Sequence, residues 1–345
     1  MVEGTAATRL LQRTDGVFEV GTDRGTITAD QVVLATDPSQ APIVPRAAER
    51  LPDDVVGVHS CEYRNPDQFP PGAVLVVGTG QSGCQIAEDL HLAGREVHLA
   101  TGSAPRVARR YRGRDVVDWL DEMGYYTKPI HSFADADAVR FRVNHYVTGR
   151  DGGRDIDLRA FARDGMRLYG RLTAVDGARV SFADDLAGNL GSADAVCEGI
   201  KDGIDAHIEA TGREAPTEPR YVPVWVPDAP ERELDVRAAG VTAVVWCTGF
   251  GRDHRWIELP LFDGRGYPTH RRGASFVPGV YFLGLPWQHT WGSGRFCGVG
   301  DDATHLAEQI ARRRAGRSGL DVSWLAGTTT STYPADDWTP TRTVA

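Results

Sequence analysis

The stretch Ala73–Gly83, AVLVVGTGQSG, constrains this chain more than any other. Five consecutive apolar residues make a strand suited to a sheet covered on both faces. It runs straight into Gly78-Thr79-Gly80-Gln81-Ser82-Gly83, a G-x-G-x-x-G turn, and the helical pattern SGCQIAEDLHLAG follows. Gly78 permits the tight turn, Gly80 lets a pyrophosphate approach the backbone, and Gly83 brings the helix close to the strand. Unpaired amides at the helix start, with the positive end of its dipole, face the phosphates. Thr79, Gln81 and Ser82 complete the cradle. Gly94 is placed as the C′ residue of the helix, and EVHLA, Glu96 to Ala100, is the second strand. The turn thus predicts an α/β fold with a dinucleotide site.

The tip of the second strand separates the two nicotinamide coenzymes. An NAD site places Asp or Glu about 20 residues on, against the ribose 2′-hydroxyl. Here the chain reads Ala100-Thr101-Gly102-Ser103, with Arg106, Arg109, Arg110, Arg112 and Arg114 close behind. A guanidinium binds a 2′-phosphate where a carboxylate repels it, so the pattern selects NADP(H), through Ser103 and Arg106. Arg109 to Arg114 read as a solvated face.

Around this unit the pattern is mixed. Residues 5–36 alternate β-prone runs with the turns TDG and TDRG, as a β-meander does. A Pro-rich connector leads to the strand before Gly78. Helices are expected in GRDVVDWLDEMGYY, in DIDLRAFARDGMRLYG and over 193–211, where Val196, Ile200, Ile204 and Ile208 form an apolar row. Residues 213–237 are Pro-rich and loop-like, strands return in VTAVVWCTGF and GVYFLGL, and a helix is expected over about 302–313. The tail from 314 lacks periodicity and reads as disordered. ADQVVLATDP and VTAVVWCTGF echo each other, each an apolar strand ending in a small residue, Thr and a turn. The echo is compatible with two related nucleotide-binding halves, and equally with unrelated strands of one α/β chain.

The formal net charge of −9 argues against a nucleic-acid partner. Five scattered cysteines form no CxxC, and the ten histidines form no metal-binding spacing, so neither a redox disulfide nor a metal is expected. No segment has the roughly 18 apolar residues of a membrane helix, and the expected location is the cytoplasm.

Three longer stretches carry a family resemblance. HSCEYRNPDQFPPGAVLVVGTGQSGCQIAEDL resembles the class B flavin-dependent monooxygenases, the flavin-containing and Baeyer–Villiger-type enzymes, with His59 and Tyr63 as half of a fingerprint; Val55 and Asp53 stand where its upstream glycine and aromatic are normally found. VVWCTGF resembles that family's second ATG-type motif, and PGVYFLGLPWQHTWGSGRFCGVGDDATHLAEQIA its C-terminal flavin-contacting segment. RYRGRDVVDWLDEMGYY, NHYVTGRDGGRDIDLR and EPRYVPVW are closest to bacterial flavin-dependent oxidoreductases of nitrilase-containing gene clusters.

The resemblance implies two Rossmann-type (FAD/NAD(P)-binding) domains, the NADPH domain inserted into an incomplete FAD domain. The implied division is 1–70, meander and connector of the FAD domain; 71–237, NADP(H) domain; 238–313, the rest of the FAD domain; and a tail over 314–345. No first glycine-rich turn precedes the meander, so the chain reads as N-terminally truncated, lacking the unit for the ADP half of FAD. In the first ATG-type motif, Ala35-Thr36-Asp37, an Asp replaces glycine. The implied chemistry is reduction of FAD by NADPH, then oxygenation of a small organic substrate by a C4a-hydroperoxyflavin formed with O2. Thr248, Gly249, Gly284 and Trp287, beside His289 and Trp291, are the expected FAD contacts; Trp287 and its neighbours are otherwise packing. His59 is a candidate domain link, and Arg150, Asp151 and Arg154 a candidate nicotinamide or substrate clamp or a plain polar turn. No acid–base catalyst is assigned. A flavin-free NADP(H)-binding module and a non-catalytic remnant are the alternatives.

Overall fold

The computed structural model describes residues 2–36 and 39–316. Asp37 and the tail from 317 lie outside the described residues. The described chain divides into two units: one holds the residues up to Ala41, Gly124–Phe141 and Phe250 onward; the other holds Pro42–Met123 and Arg142–Gly249.

The second unit is built on a five-stranded parallel sheet in the order Arg167–Tyr169, Val97–Ala100, Ala73–Val77, Val241–Trp246, Val56–His59. Alternate residues of the leading strand serve two cores. Val74 and Val76 pack with Cys84, Ile86, Ala87 and Leu90 of the helix Gln81–Leu92. Ala73, Leu75 and Val77 face the other way, onto Leu172, Val175, Val180, Phe182 and Leu234. Those last residues come from a separate antiparallel sheet, Leu172–Asp176, Arg179–Phe182 and Glu233–Asp235. Coverage on both faces explains the unbroken apolar run.

Two expected boundaries move. The connector and the strand Val56–His59 belong to this second unit, because Val56 to His59 pair with Ala243 to Trp246. The strand Val241–Trp246, assigned above to the FAD domain, is itself an inner strand of the same sheet, beside Ala73–Val77. The long helix is Leu186–Thr211, and its buried residues are Leu186, Leu190, Ala193, Cys197, Lys201 and Ile204. The expected row is corrected: Ile204 is buried, but Val196 is 40% exposed. Steps of four residues advance about 400° on a helix, so such a row winds off any single face.

The first unit contains the expected meander, Ala7–Gln12, Phe18–Thr22 and Gly25–Ala29, in antiparallel order. Val32–Leu34 pairs in parallel with Val280–Phe282, and Leu10, Phe18, Leu34, Leu261, Val280 and Phe282 share a core. The two strands of the sequence echo, Val32–Leu34 and Val241–Trp246, thus each lie in a parallel pairing, one in each unit. The expected C-terminal helix is Val299–Arg314. Gly124–Phe141 belongs to this unit, an excursion that the sequence did not announce.

Candidate functional site

The phosphate turn sits at the carboxyl end of the leading strand, in the second unit, and its three glycines face three different surroundings. Gly78 has φ +105°, and a methyl group there would lie 2.6 Å from the Cys247 carbonyl oxygen. At Gly83 a methyl group would lie 1.8 Å from the Gly78 oxygen. These two positions are closed by the protein itself. Gly80, the helix N-cap, meets nothing within 4 Å. The open glycine is therefore the one whose backbone a ligand approaches, and the first-turn amides of Gln81, Ser82 and Gly83 have no i−4 carbonyl inside the helix. Gly94 ends the helix at φ +81°, with the Gly94 and Arg95 amides donating to His91 and Leu90.

Side chains stiffen the turn. Thr79 is buried, and its hydroxyl accepts from the Gly102 amide at 2.9 Å, tying the turn to the tip of the second strand. The Gln81 side chain pairs with the Val147 backbone, donating at 2.5 Å and accepting at 3.1 Å, so only its backbone amide remains for a ligand. Ser82 and Ser103 are exposed.

Arg106 is corrected as a 2′-phosphate ligand. It is 4% exposed, its Nε lies 2.8 Å from Asp194, and its guanidinium stacks 3.9 Å over the Tyr221 ring. Arg159 holds the other Asp194 oxygen at 2.9 Å, and the Tyr221 hydroxyl donates to Asp157 at 2.9 Å. This network pins the Pro-rich loop to the sheet domain, and a paired, enclosed guanidinium has no free face for a phosphate. The partners come from positions 157, 159, 194 and 221, too far along the chain for local pattern to reveal. Arg109, Arg112 and Arg114 pair with Asp115, Asp205 and Glu122, each at 2.7 Å, and are half-buried beside two short strands, so the expected solvated face is corrected for them.

The half-fingerprint is structural in its contacts. His59 is buried; its Nδ1 accepts from the Cys61 amide, which leaves Nε2–H to donate to the Gly249 oxygen at 2.9 Å. The Tyr63 hydroxyl donates to Asp89 at 2.7 Å. Thr248 spends its hydroxyl on the Ile43 carbonyl, whereas Gly249, at φ +81°, has nothing within 4 Å of a built methyl. Arg150 pairs with Asp89 at 2.5 Å, and Arg154 with buried Glu88 at 2.9 Å. The polar turn is thus latched to the dinucleotide-site helix.

In the first unit, Gly284 takes φ +86° in open space. Trp287, at φ +54°, is 5% exposed and packs against Phe133 and Tyr125. Trp291 packs against Tyr126 at 4.5 Å between ring centroids, with Arg295 stacked over it at 3.6 Å. His289 stacks on His131, and burial pushes its pKa down. The tyrosines were read as the end of a helix, which in fact stops at Glu122. Gly124 at φ +72° was the available signal that the chain turns there.

The cysteines are free. Burial pushes the Cys84 thiol well up and the Cys247 thiol up to about 12, which disfavours the thiolate at both. Among the described residues no helix is long and apolar enough to cross a membrane, and no cluster fits a metal ion.

A family model described as pyridine nucleotide-disulphide oxidoreductase matches residues 3–147. The flavin-containing monooxygenase iboF of Amanita muscaria is 39% identical over 77 residues, 21% of this chain and 14% of that one. Among solved structures, the flavin-containing monooxygenase from Stenotrophomonas maltophilia matches with a TM-score of 0.56 at 17% identity, covering 90% of this chain and 71% of that one. A CzcO-like oxidoreductase of Geobacillus kaustophilus is 31% identical over 303 residues, 87% of this chain and 70% of that one. The chain belongs to the CzcO-like oxidoreductases, on the two-domain fold of the flavin monooxygenases.

Proposed function

We propose that this chain is an NADPH- and FAD-dependent oxidoreductase of the flavin-monooxygenase type, acting on a small organic substrate with O2. The observation that carries the reading is the contrast at the turn: Gly78 and Gly83 are closed by the protein, and Gly80 is open before a helix start with unpaired amides. That cradle fits a pyrophosphate. Gly78 to Gly83 would hold it, with Thr79 fixing the turn to the strand tip.

Selection of the 2′-phosphate passes to Ser103 and Arg171. Arg171 follows the strand Arg167–Tyr169, whose Tyr169 pairs with Ala100, so it lies at the same sheet end as the tip that meets the adenine ribose. Its side chain is 71% exposed, with Asp185 3.8 Å away. A guanidinium left this open can still close on a phosphate.

NADPH supplies a hydride and FAD the oxygen-reactive ring when they are bound. Among the described residues the G-x-G-x-x-G spacing between a strand and a helix occurs at Gly78–Gly83, and it accounts for one dinucleotide. For FAD the first unit offers the open backbone at Gly284 and the apolar pair Trp287 and Phe133.

The test is a pair of measurements. Calorimetry reads NADPH binding to the protein and to Gly80→Val; oxygen uptake with NADPH, with and without added FAD, reads turnover. NADPH binding that survives Gly80→Val overturns the assigned cradle. Binding without FAD-stimulated oxygen uptake selects the flavin-free module, and loss of both selects a non-catalytic remnant.

A further inference from the structure

A cleft of about 420 Å3 opens on the second unit, between the 3-10 turn Arg46–Arg50 and the edge strand Val56–His59. Its base is Trp246, which belongs to the core on the sheet face opposite the helix of the phosphate turn. The cleft therefore lies apart from the dinucleotide cradle. Val44, Leu51 and Val55 give it aliphatic walls.

Two features make it more than a surface groove. The first is an indole donor without a protein acceptor. Trp246 is 1% exposed, and no described residue accepts from its indole N–H. Directly over that nitrogen stands Gly57: a methyl group built there would lie 3.6 Å from Nε1. Because Gly57 carries only hydrogen, the N–H opens into the cleft. A buried Trp normally finds a partner for this group, and the cleft is where one can reach it.

The second feature is one-signed charge. Glu49, Asp53 and Glu62 line the cleft, with no Lys or Arg among its lining residues. Glu62 accepts from the His59 amide at 3.0 Å, and Glu49 and Asp53 are exposed without an ion pair among the described residues. Carboxylates grouped around a low-dielectric cleft favour a cation. A donor at the base calls for an acceptor such as a carbonyl, and the walls between call for methylenes.

The geometry points to this cleft as a binding site for an aliphatic ω-amino amide, its carbonyl on the Trp246 indole N–H, its chain along the valines and Leu51, and its ammonium at Glu49 and Asp53. Two simpler classes fail at one region each: a carboxylate meets like charge at the mouth, and a simple alkylamine leaves the indole without an acceptor.

The probe is 6-aminohexanamide, added to the full chain carrying 15N-tryptophan, with the Trp246 indole resonance assigned by its loss in Trp246→Phe. The expected result is a saturable shift of that resonance, with hexanamide and adipic acid monoamide binding at least about tenfold more weakly. Gly57→Ala is the decisive variant. Gly57 has no positive φ, and the added methyl makes an ordinary contact, so the fold tolerates it while the N–H is covered. It should lose about tenfold in affinity for the probe, with NADPH binding unchanged. Should Gly57→Ala fail to fold, Glu49→Gln with Asp53→Asn gives the same reading: the probe should then bind no better than hexanamide. No saturable shift at about 20 mM, equal affinity for hexanamide, or undiminished binding by the variants overturns the assignment.

Discussion

Gly78, Gly80 and Gly83 occur within six residues and answer to different forces, so they should fail differently when substituted. Gly80→Ala puts a methyl into open space; its thermal midpoint should match the parent while coenzyme affinity falls at least about tenfold, as calorimetry would read. Gly78→Ala must hold a side chain at φ +105° against the Cys247 carbonyl, and should cost about 1–3 kcal/mol in chemical denaturation from the strained backbone alone. Arg106→Ala belongs with the second group. It strips one of two guanidinium groups from Asp194 in the interior, and loss of one partner of a buried ion pair costs about 3–5 kcal/mol. Urea denaturation should register that loss, with NADPH and NADH affinities of the folded fraction changing in parallel. Coenzyme preference should respond instead to Arg171→Ala, which lowers NADPH affinity relative to NADH; an unchanged ratio removes Arg171 from the site.

The strand, turn, helix and cap around Gly78 were legible because each is decided by neighbours within a few residues: buried strand, tight turn, helix start, left-handed C′ glycine. Arg106 was not, since what decides its role is Asp194 and Tyr221, brought beside it only by folding. Pairing hid the domain boundary in the same way. The run VTAVVW announces a strand, but nothing in it says that Ala73–Val77 and Val56–His59 are its neighbours. The long helix shows a subtler failure, since the eye picks steps of four, whereas the buried face mixes threes and fours. The half-fingerprint acquires meaning at this scale too. His59 ends the edge strand and holds the Gly249 carbonyl beyond the end of its neighbour, so it fixes the outlet of the sheet. His59→Phe should therefore broaden the amide resonances of Gly249 and Ile43, whose backbone hydrogen bond measures 3.0 Å.

Over the whole molecule, acid should be felt unevenly. Burial pushes down four histidines of the first unit, His254, His270, His289 and His305, and two of the second, His98 and His145, with His270 moved from 6.5 to about 4. A histidine kept neutral in the folded state lets the unfolded chain take up protons first, so its contribution falls as pH drops from 6.5 towards about 4. Thermal scans across that window should show a falling midpoint, and His270→Phe should flatten part of the fall. Within the described residues the chain also passes between the two units four times, after Ala41, Met123, Phe141 and Gly249. Val32–Leu34 pairs with Val280–Phe282, so 248 residues separate the first strand partner from the second. At about 5–20 residues per second on the ribosome, the nascent strand Val32–Leu34 waits roughly 12–50 s for its parallel partner. Leu10, Phe18 and Leu34, which share a core with Val280 and Phe282, lack that cover throughout the interval, when chaperones and proteases can reach them.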